Sequence, residues 1–287
     1  MSGDVVQFMW RRSLRILPAY WLVLLVTALV IAPLIWTLGY GRELAAFFTP
    51  GGPGTYLAAN WDLSIGTWGM HDLLVTTTPY GQQVGYSVFN GSLWTLIQEW
   101  NCYLIIAVLV LFGVMRNARL LVAVITAFYF VIQIVAIVNF DAVAAISPRL
   151  ADPNTISLGL TFLVGSTIAV YSKSIPYTDG LGILSGIALL VTLRVGGFST
   201  IGTIAGAYFV LYLAARLPKS VHWIGQKNDY SYGVYIYGFL VQQVLAYLGW
   251  YRWGYVPYVL GALVFSYALA WGSWHGVEKW AMKLKNW

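Results

Sequence analysis

Residues 18–38 read PAYWLVLLVTALVIAPLIWTL, a run without a charged residue. About 20 apolar residues are enough to cross the ~30 Å hydrocarbon core of a bilayer. Runs of this kind recur along the 287 residues, of which 59% are hydrophobic and only 9% charged. The short alternating segments typical of a membrane β-barrel are absent. The sequence therefore predicts an all-α, polytopic integral membrane helix bundle that forms a single domain over residues 1–287.

The hydropathy pattern predicts about eight transmembrane segments. The fifth is short and meets the sixth through Gly196 and Gly197, so these two form either full crossings or a re-entrant hairpin. An even number of crossings returns both termini to one side, and residues 39–90 become an extracytoplasmic loop. The predicted segments are 18–38, 91–114, 120–140, 155–171, 180–195, 198–215, 230–248 and 255–274.

The basic residues predict the orientation, because loops rich in Lys and Arg stay in the cytoplasm. Of the 16 basic residues, 12 lie on the side of the termini and four on the other side, so both termini are expected in the cytoplasm. The net charge of +6 then reflects topology and attraction to the lipid bilayer rather than to nucleic acid. The single cysteine, Cys102, excludes an internal disulfide and a cysteine metal cluster, and no metal-ligand spacing is present.

Arg12 and Arg15 stand just before the first segment. Residues three apart share one face of a helix, so both guanidiniums are able to bind one phosphate-rich group at the membrane edge. The alternative is a topology signal, since arginines commonly flank membrane helices on the cytoplasmic side. Position alone favours the topology signal.

Glu99 lies one to two turns inside the second segment. A carboxylate in hydrocarbon costs at least about 2.5 kcal/mol, so we expect it to face the protein interior. Trp94 is close enough on the same helix to line the same cavity. Glu99 is thus predicted to belong to a functional site, the alternative being a structural bond to Arg194 or to a tyrosine hydroxyl on another helix.

Two further regions carry polar or aromatic side chains. Asp229 and Ser231 stand at capping positions of the seventh segment, and Tyr232, Tyr235 and Gln242, spaced three and seven residues apart, form a candidate polar stripe. Tyrosines that reach to the interface are the alternative. The aromatic residues of 39–90 are expected either to cover an acceptor pocket or to lie on the membrane.

Three sequence blocks stand out: Arg12-x-x-Arg15-Ile-x-Pro18-x-Tyr20, Ser92-Leu-Trp-Thr-Leu-x-x-Glu99-x-x-x-Tyr103 and Asp229-x-Ser-Tyr-Gly-Val-Tyr235 with Gln242. A fourth, Trp274-His-Gly-Val-Glu-Lys279, follows them, and in order and spacing they cover nearly the whole chain. Together they resemble acyltransferase family 3, a family of bacterial membrane O-acyltransferases that acetylate cell-envelope and secreted glycans.

The resemblance implies a protein of the bacterial inner membrane that moves an acyl group, acetyl by default, from acyl-coenzyme A to a carbohydrate hydroxyl. Arg12 and Arg15 would bind the phosphates of acetyl-CoA, which is a substrate, and no bound cofactor is implied. Trp94 and Glu99 would be catalytic. The chamber would be lined by Tyr103, Tyr232, Tyr235 and Gln242.

In this family the group that takes the hydroxyl proton is held to be a histidine on the first membrane helix. This chain is expected to begin near the third membrane segment of the family pattern, so that two helices and that histidine precede residue 1. Three hypotheses follow. They are an O-acyltransferase whose start is missing from this sequence, an inactive remnant that binds coenzyme A or a partner, and a polytopic transporter of a glycan or lipid-linked precursor.

Overall fold

The computed structural model describes residues 5–112, 119–147, 152–221 and 228–286. Across these ranges the regular secondary structure is helical. Several helices end in short π or 3₁₀ turns, which we leave unlabelled. The longer helices are α1 (Val5–Val26), α2 (Leu44–Phe47), α3 (Pro53–Asn60), α4 (Pro79–Val84), α5 (Thr95–Leu111), α6 (Arg119–Val138), α7 (Phe140–Ile146), α8 (Pro153–Val170), α9 (Asp179–Val195), α10 (Thr203–Arg216), α11 (Ser231–Tyr247) and α12 (Tyr255–Ser273).

Six helical segments within those ranges have the length and hydropathy needed to cross a membrane, which indicates an all-α integral membrane protein. All eight predicted segments coincide with helices, although residues 113 and 114 of the second lie outside the described residues. Two of the eight predicted segments are not among these six. They correspond to α9 and α11, which have 17 residues each. The six are Val5–Gly39, Gly91–Leu111, Arg119–Val138, Pro153–Val170, Phe198–Arg216 and Tyr255–Lys285.

The first helix begins earlier than predicted, at Val5 instead of Pro18, and Pro18 lies inside it. Arginine is a good helix former, so the basic residues before Pro18 extend the helix instead of ending it. Side chains of this extension also bond to the C-terminal turn of the chain. Trp10 and Arg11 donate hydrogen bonds to the backbone carbonyls of Leu284 and Lys285, at 2.9 and 3.1 Å.

The described chain divides into two compact units. The terminal unit contains Val6–Glu99 and residues 228–286, and the central unit contains residues 100–221. The boundary falls inside α5. In the terminal unit α11 packs closely on α12, where Gly233 faces Ala270 with no room for a side chain. In the central unit Leu160, Val164 and Ile168 of α8 form a core with Tyr129 and Phe130 of α6.

The helices α9 and α10 of the central unit pair along their length. Gly182 and Gly186 lie against the rings of Tyr212 and Phe209, which allows the two helices to approach closely. Gly196 and Gly197 connect α9 to the π turn that precedes α10, with φ of 100° and 88°. Such values favour glycine, because a Cβ is strained there.

The predicted outer loop at 39–90 is a folded segment of the terminal unit. Its helices α2, α3 and α4 surround buried side chains that include Phe47, Tyr56 and Leu73. Arg42 and Asp72 form a two-bond ion pair at 2.5 and 2.7 Å. The Tyr20 hydroxyl of α1 donates to the Asn60 carbonyl, so this segment is joined directly to the first helix.

Candidate functional site

A small cavity of about 60 Å³ lies where α1, the start of α11 and the turns after α12 meet in the terminal unit. Its charged and polar lining consists of Arg15, Asp229, Tyr232 and Glu278. Leu14, Trp274 and Met282 complete the wall. We call this the arginine cavity. Two of the predicted site residues, Arg15 and Tyr232, therefore come together from positions 217 residues apart.

Arg15 and Asp229 form an ion pair across this cavity, with Nη2 of Arg15 2.9 Å from Oδ2 of Asp229. The side chains are 43% and 35% exposed, so a solute has access to both. A guanidinium carries five N–H donors in a flat fork. A bond through one nitrogen therefore leaves capacity for a second anion.

Asp229 is held in its ionised form by its neighbours. Partial burial alone would raise the pKa of Asp229, but hydrogen bonds from the Ser231 side chain and amide, together with Arg15, lower this pKa below its usual 3.8. Its Oδ1 accepts from the Ser231 amide at 3.2 Å and from the Ser231 hydroxyl at 2.5 Å. The predicted capping positions of Asp229 and Ser231 are wrong: the helix begins at Ser231 with Tyr230 at the N-cap and no side-chain cap bond, and Asp229 lies one residue before the cap.

Arg12 lies one turn before Arg15 on α1. Its guanidinium stands over the Phe8 ring at 5.3 Å, and Arg12 is not among the residues that line the arginine cavity. The two arginines thus share a helix, with Arg15 at the cavity and Arg12 nearer the start of the chain.

Tyr232 is a half-buried residue in the wall of the arginine cavity. It donates to the Ile16 carbonyl at 2.9 Å, which fixes the first turn of α11 against α1. Glu278 lines the same cavity. Glu99 and Trp94, predicted as catalytic, are not among the described residues that line it.

Glu278 is an acid of this site to which the sequence analysis assigned no role. It is 3% exposed, and its Oε1 accepts from the Ser273 hydroxyl at 2.6 Å. Trp274, beside it, donates from Nε1 to Oδ1 of Asn228 at 3.0 Å. The sequence did contain a signal for Glu278, because it is the single acid of the block Trp274–Lys279.

The remaining predicted site residues occupy different places. Trp94 ends a 3₁₀ turn that leads into α5, and Tyr103 lies on the part of α5 that belongs to the central unit. Tyr235 donates to the Ser92 carbonyl at 2.7 Å and bonds to the Thr95 hydroxyl. Gln242 lines a second cavity, so Tyr232 and Gln242 belong to separate ends of α11.

The Tyr235 bonds attach the start of α5 to α11. Asn90 donates from its amide to the Ile236 carbonyl at 2.7 Å, and Ser92 donates to the Tyr235 carbonyl at 3.2 Å. These bonds hold the turn that carries Trp94 and precedes Glu99. Tyr235 is thus a positioning residue for the Glu99 helix. Within the described ranges no group of three or more metal-ligating side chains is found.

The fold and this cavity define a class: an all-α membrane protein in which an arginine, an accessible aspartate and a buried glutamate meet at the end of membrane helices. The chain is similar to the O-acetyl transferase of Shigella phage Sf6, with 30% identity over 203 residues. The matched region covers 66% of this chain and 56% of that protein, so the chain spans little more than half of its relative. No family model and no solved structure matches the chain.

Proposed function

We propose that this chain is a membrane O-acyltransferase that moves an acyl group, by default acetyl, from acyl-coenzyme A to a hydroxyl of a carbohydrate acceptor. The observation that carries the proposal is the arginine cavity, where Arg15 stands beside Tyr232 and near two carboxylates. Similarity to an O-acetyl transferase supports the same chemistry.

The donor half of the proposed site uses the basic residues of α1. Arg15 binds a phosphate of acyl-coenzyme A, and Arg12, one turn earlier, adds positive charge on the same helix. Lys283 lies close by in sequence to the cavity residue Met282. In the proposed orientation both termini are cytoplasmic in a bacterial inner membrane, so the donor reaches the cavity from the cytoplasm, where coenzyme A is present.

The transfer step breaks the thioester C–S bond and forms an ester C–O bond. The proton of the acceptor hydroxyl passes to a base and then to the coenzyme A sulfur, so charge and atoms balance. In place of the histidine that the family resemblance expects before residue 1, Glu99 is the proposed base within this sequence, and Trp94 is proposed to shape the chamber beside it. Tyr232 is proposed to position the first turn of α11 beside the chamber, because its hydroxyl donates to the Ile16 carbonyl.

Replacing Arg15 tests the donor site. Arg15→Ala is expected to weaken acetyl-CoA binding by about 1–3 kcal/mol, roughly 5- to 150-fold, because one charge-assisted contact is lost. The measurement is equilibrium binding of labelled acetyl-CoA to the full chain in lipid nanodiscs, with transfer of the label to bacterial polysaccharide as the second readout.

Arg216→Ala is the matched control. Arg216 is also exposed and also pairs with an aspartate, Asp179, at 2.6 Å, but it belongs to the central unit. The proposal requires this variant to bind acetyl-CoA like the parent. Equal affinity of all three proteins would remove the donor-site role of Arg15, and acetyl-CoA binding without any acetyl transfer by the parent would favour the inactive remnant.

A further inference from the structure

A second, larger cavity of about 250 Å³ lies at the other end of α11, within the terminal unit. It is bounded by the folded segment 39–90, by the C-terminal half of α11, and by the turn and helix that follow. The side chains that define it are Tyr80, Phe239, Gln242, Gln243, Tyr251 and Tyr258. We call it the tyrosine cavity.

Gln243 is the unusual member of this lining. It is only 3% exposed, and its Oε1 has no hydrogen-bond partner within the described residues. A buried amide oxygen without a donor is unfavourable, because it has lost water and gained nothing in exchange. Gln243 belongs to the cavity wall, and a turn of its amide toward the cavity would let a ligand hydroxyl supply the missing donor.

The aromatic side chains give the cavity its second property. Tyr80 and Phe239 meet edge to face at 5.3 Å, and the Tyr258 hydroxyl donates to the Gln242 carbonyl at 2.9 Å, so these rings are fixed. Aromatic faces pack against the C–H faces of sugar rings, while amides and phenols bond to hydroxyls. Fixed rings beside a buried amide therefore match a pyranose.

The lining argues against the other occupants that a membrane offers. No charged side chain is found among the described lining residues, which disfavours a phosphate or another anion. A lipid acyl chain would satisfy the rings, but it has no donor for Gln243 and would leave the buried oxygen unpaired. A neutral polyhydroxylated ring satisfies both parts of the wall.

We infer that the tyrosine cavity binds a neutral sugar unit of the carbohydrate acceptor, with Gln243 accepting a hydroxyl and Tyr80 and Phe239 contacting the ring. This inference rests on the proposed function. Gln243 follows Tyr232 by eleven residues on α11, so about 16 Å of helix separates the two cavities at about 1.5 Å per residue. The helix α11 then carries the donor side at one end and the acceptor side at the other.

The test uses methyl glycosides of glucose, galactose, mannose, rhamnose and N-acetylglucosamine, with the full chain in lipid nanodiscs. Saturation-transfer NMR titrations give the affinity of each sugar. Gln243→Leu is expected to weaken binding of the preferred glycoside by at least about fivefold, the loss of one or more hydrogen bonds. Tyr80→Leu, at a 40% exposed position that tolerates substitution, is expected to weaken it also.

Gln133→Leu is the matched control. Gln133 is likewise buried, at 4% exposure, and its Oε1 likewise has no partner within the described residues, but it lies on α6 of the central unit. The control is expected to bind sugar like the parent. Equal sugar affinity in the Gln243→Leu and Gln133→Leu variants would overturn the inference, as would a parent protein that binds none of the five glycosides.

Acetyl-CoA binding, measured on the same samples, separates this inference from the proposed function. A parent that binds acetyl-CoA but no glycoside overturns only the tyrosine cavity as a sugar site. A parent that binds glycosides through Gln243 but does not bind acetyl-CoA overturns the donor half of the proposed function and supports the sugar site.

Discussion

At the scale of single residues, the two glutamates considered for the site, Glu99 and Glu278, differ in their surroundings. Glu278 is almost fully buried and already accepts a hydrogen bond from Ser273. Glu99 is half-buried on a helix that Tyr235 holds in place. A base must meet its substrate, so the more accessible Glu99 is better placed for proton transfer, while Glu278 shapes the cavity wall.

We therefore expect Glu99→Gln to lower the rate of acetyl transfer by roughly 100- to 10,000-fold, the usual contribution of a general base. The affinity for acetyl-CoA should change little, because the amide keeps the size of the side chain. Rates and affinities are measured on labelled acetyl-CoA. Glu43→Gln, at an exposed site in the outer segment, serves as the control, and full activity of Glu99→Gln would assign Glu99 a structural role.

At the scale of elements, α11 is the helix on which both cavities depend. It contributes Tyr232 to one cavity and Gln243 to the other, and it lies directly against α12. At Gly233 an added Cβ would stand 2.9 Å from the Ala270 Cα and 2.7 Å from the Ala270 Cβ. Small residues at such contacts let membrane helices approach closely.

Gly233→Ala is accordingly expected to destabilise the protein by about 1–3 kcal/mol, because α11 and α12 must move apart. Gly238→Ala is the control on the same helix, since no atom lies within 4 Å of its added Cβ. There the alanine should be neutral or stabilising, by up to about 1 kcal/mol. Thermal unfolding in detergent measures both, and equal melting temperatures for the two variants would contradict the close contact.

At the scale of the whole molecule, three aspartates outside the membrane segments, Asp62, Asp72 and Asp229, have a pKa that the folded protein lowers. Hydrogen bonds from Arg42 lower the pKa of Asp72 below its usual 3.8, and Ser64 does the same for Asp62. Together with Asp229, these aspartates bind protons less readily in the folded protein than in the unfolded chain. Their stabilising contribution is complete above the ordinary pKa and is lost as the pH falls through the lower folded value.

This sign gives a prediction for Asp72→Asn, which removes one such group. The parent should melt at a higher temperature than the variant by a constant difference from about pH 5 to 8, and this difference should close below about pH 4. Melting curves across this range provide the test. Arg42→Gln should reproduce the same pattern from the other partner, and a difference that varies between pH 5 and 8 would be inconsistent with a lowered pKa.

The sequence predicts features that depend on neighbouring residues, and it does not predict features that depend on contacts between distant residues. Seven of the eight segments begin within two residues of their predicted starts, because hydropathy is a property of neighbours along the chain. The pairing of Arg15 with Asp229, 214 residues away, has no local signal. Nor does the fold of 39–90, which depends on contacts such as Tyr20 with Asn60.

Some residues of the candidate site were predicted from the sequence and others were not. Arg15 and Tyr232 were predicted from their motifs and line one cavity, whereas Glu99 and Arg12 are not among the described residues that line it. The spacing along the helix predicted Gln242 as a chamber residue, whereas the amide that is buried at the tyrosine cavity belongs to its neighbour Gln243. Successive residues on a helix point about 100° apart, and only the position of the packed neighbours decides which of the two is enclosed.

The ion pair of Arg15 with Asp229 has a consequence for which solutes the arginine cavity admits. Asp229 acts as a resident counter-ion, so an arriving anion must share Arg15 with a carboxylate that is already ionised and anchored by Ser231. A monoanion such as chloride or acetate gains one interaction with Arg15 and is repelled by Asp229. We expect a molecule that carries several phosphates on one frame to bind more tightly, because it also reaches the neighbouring cationic groups of α1.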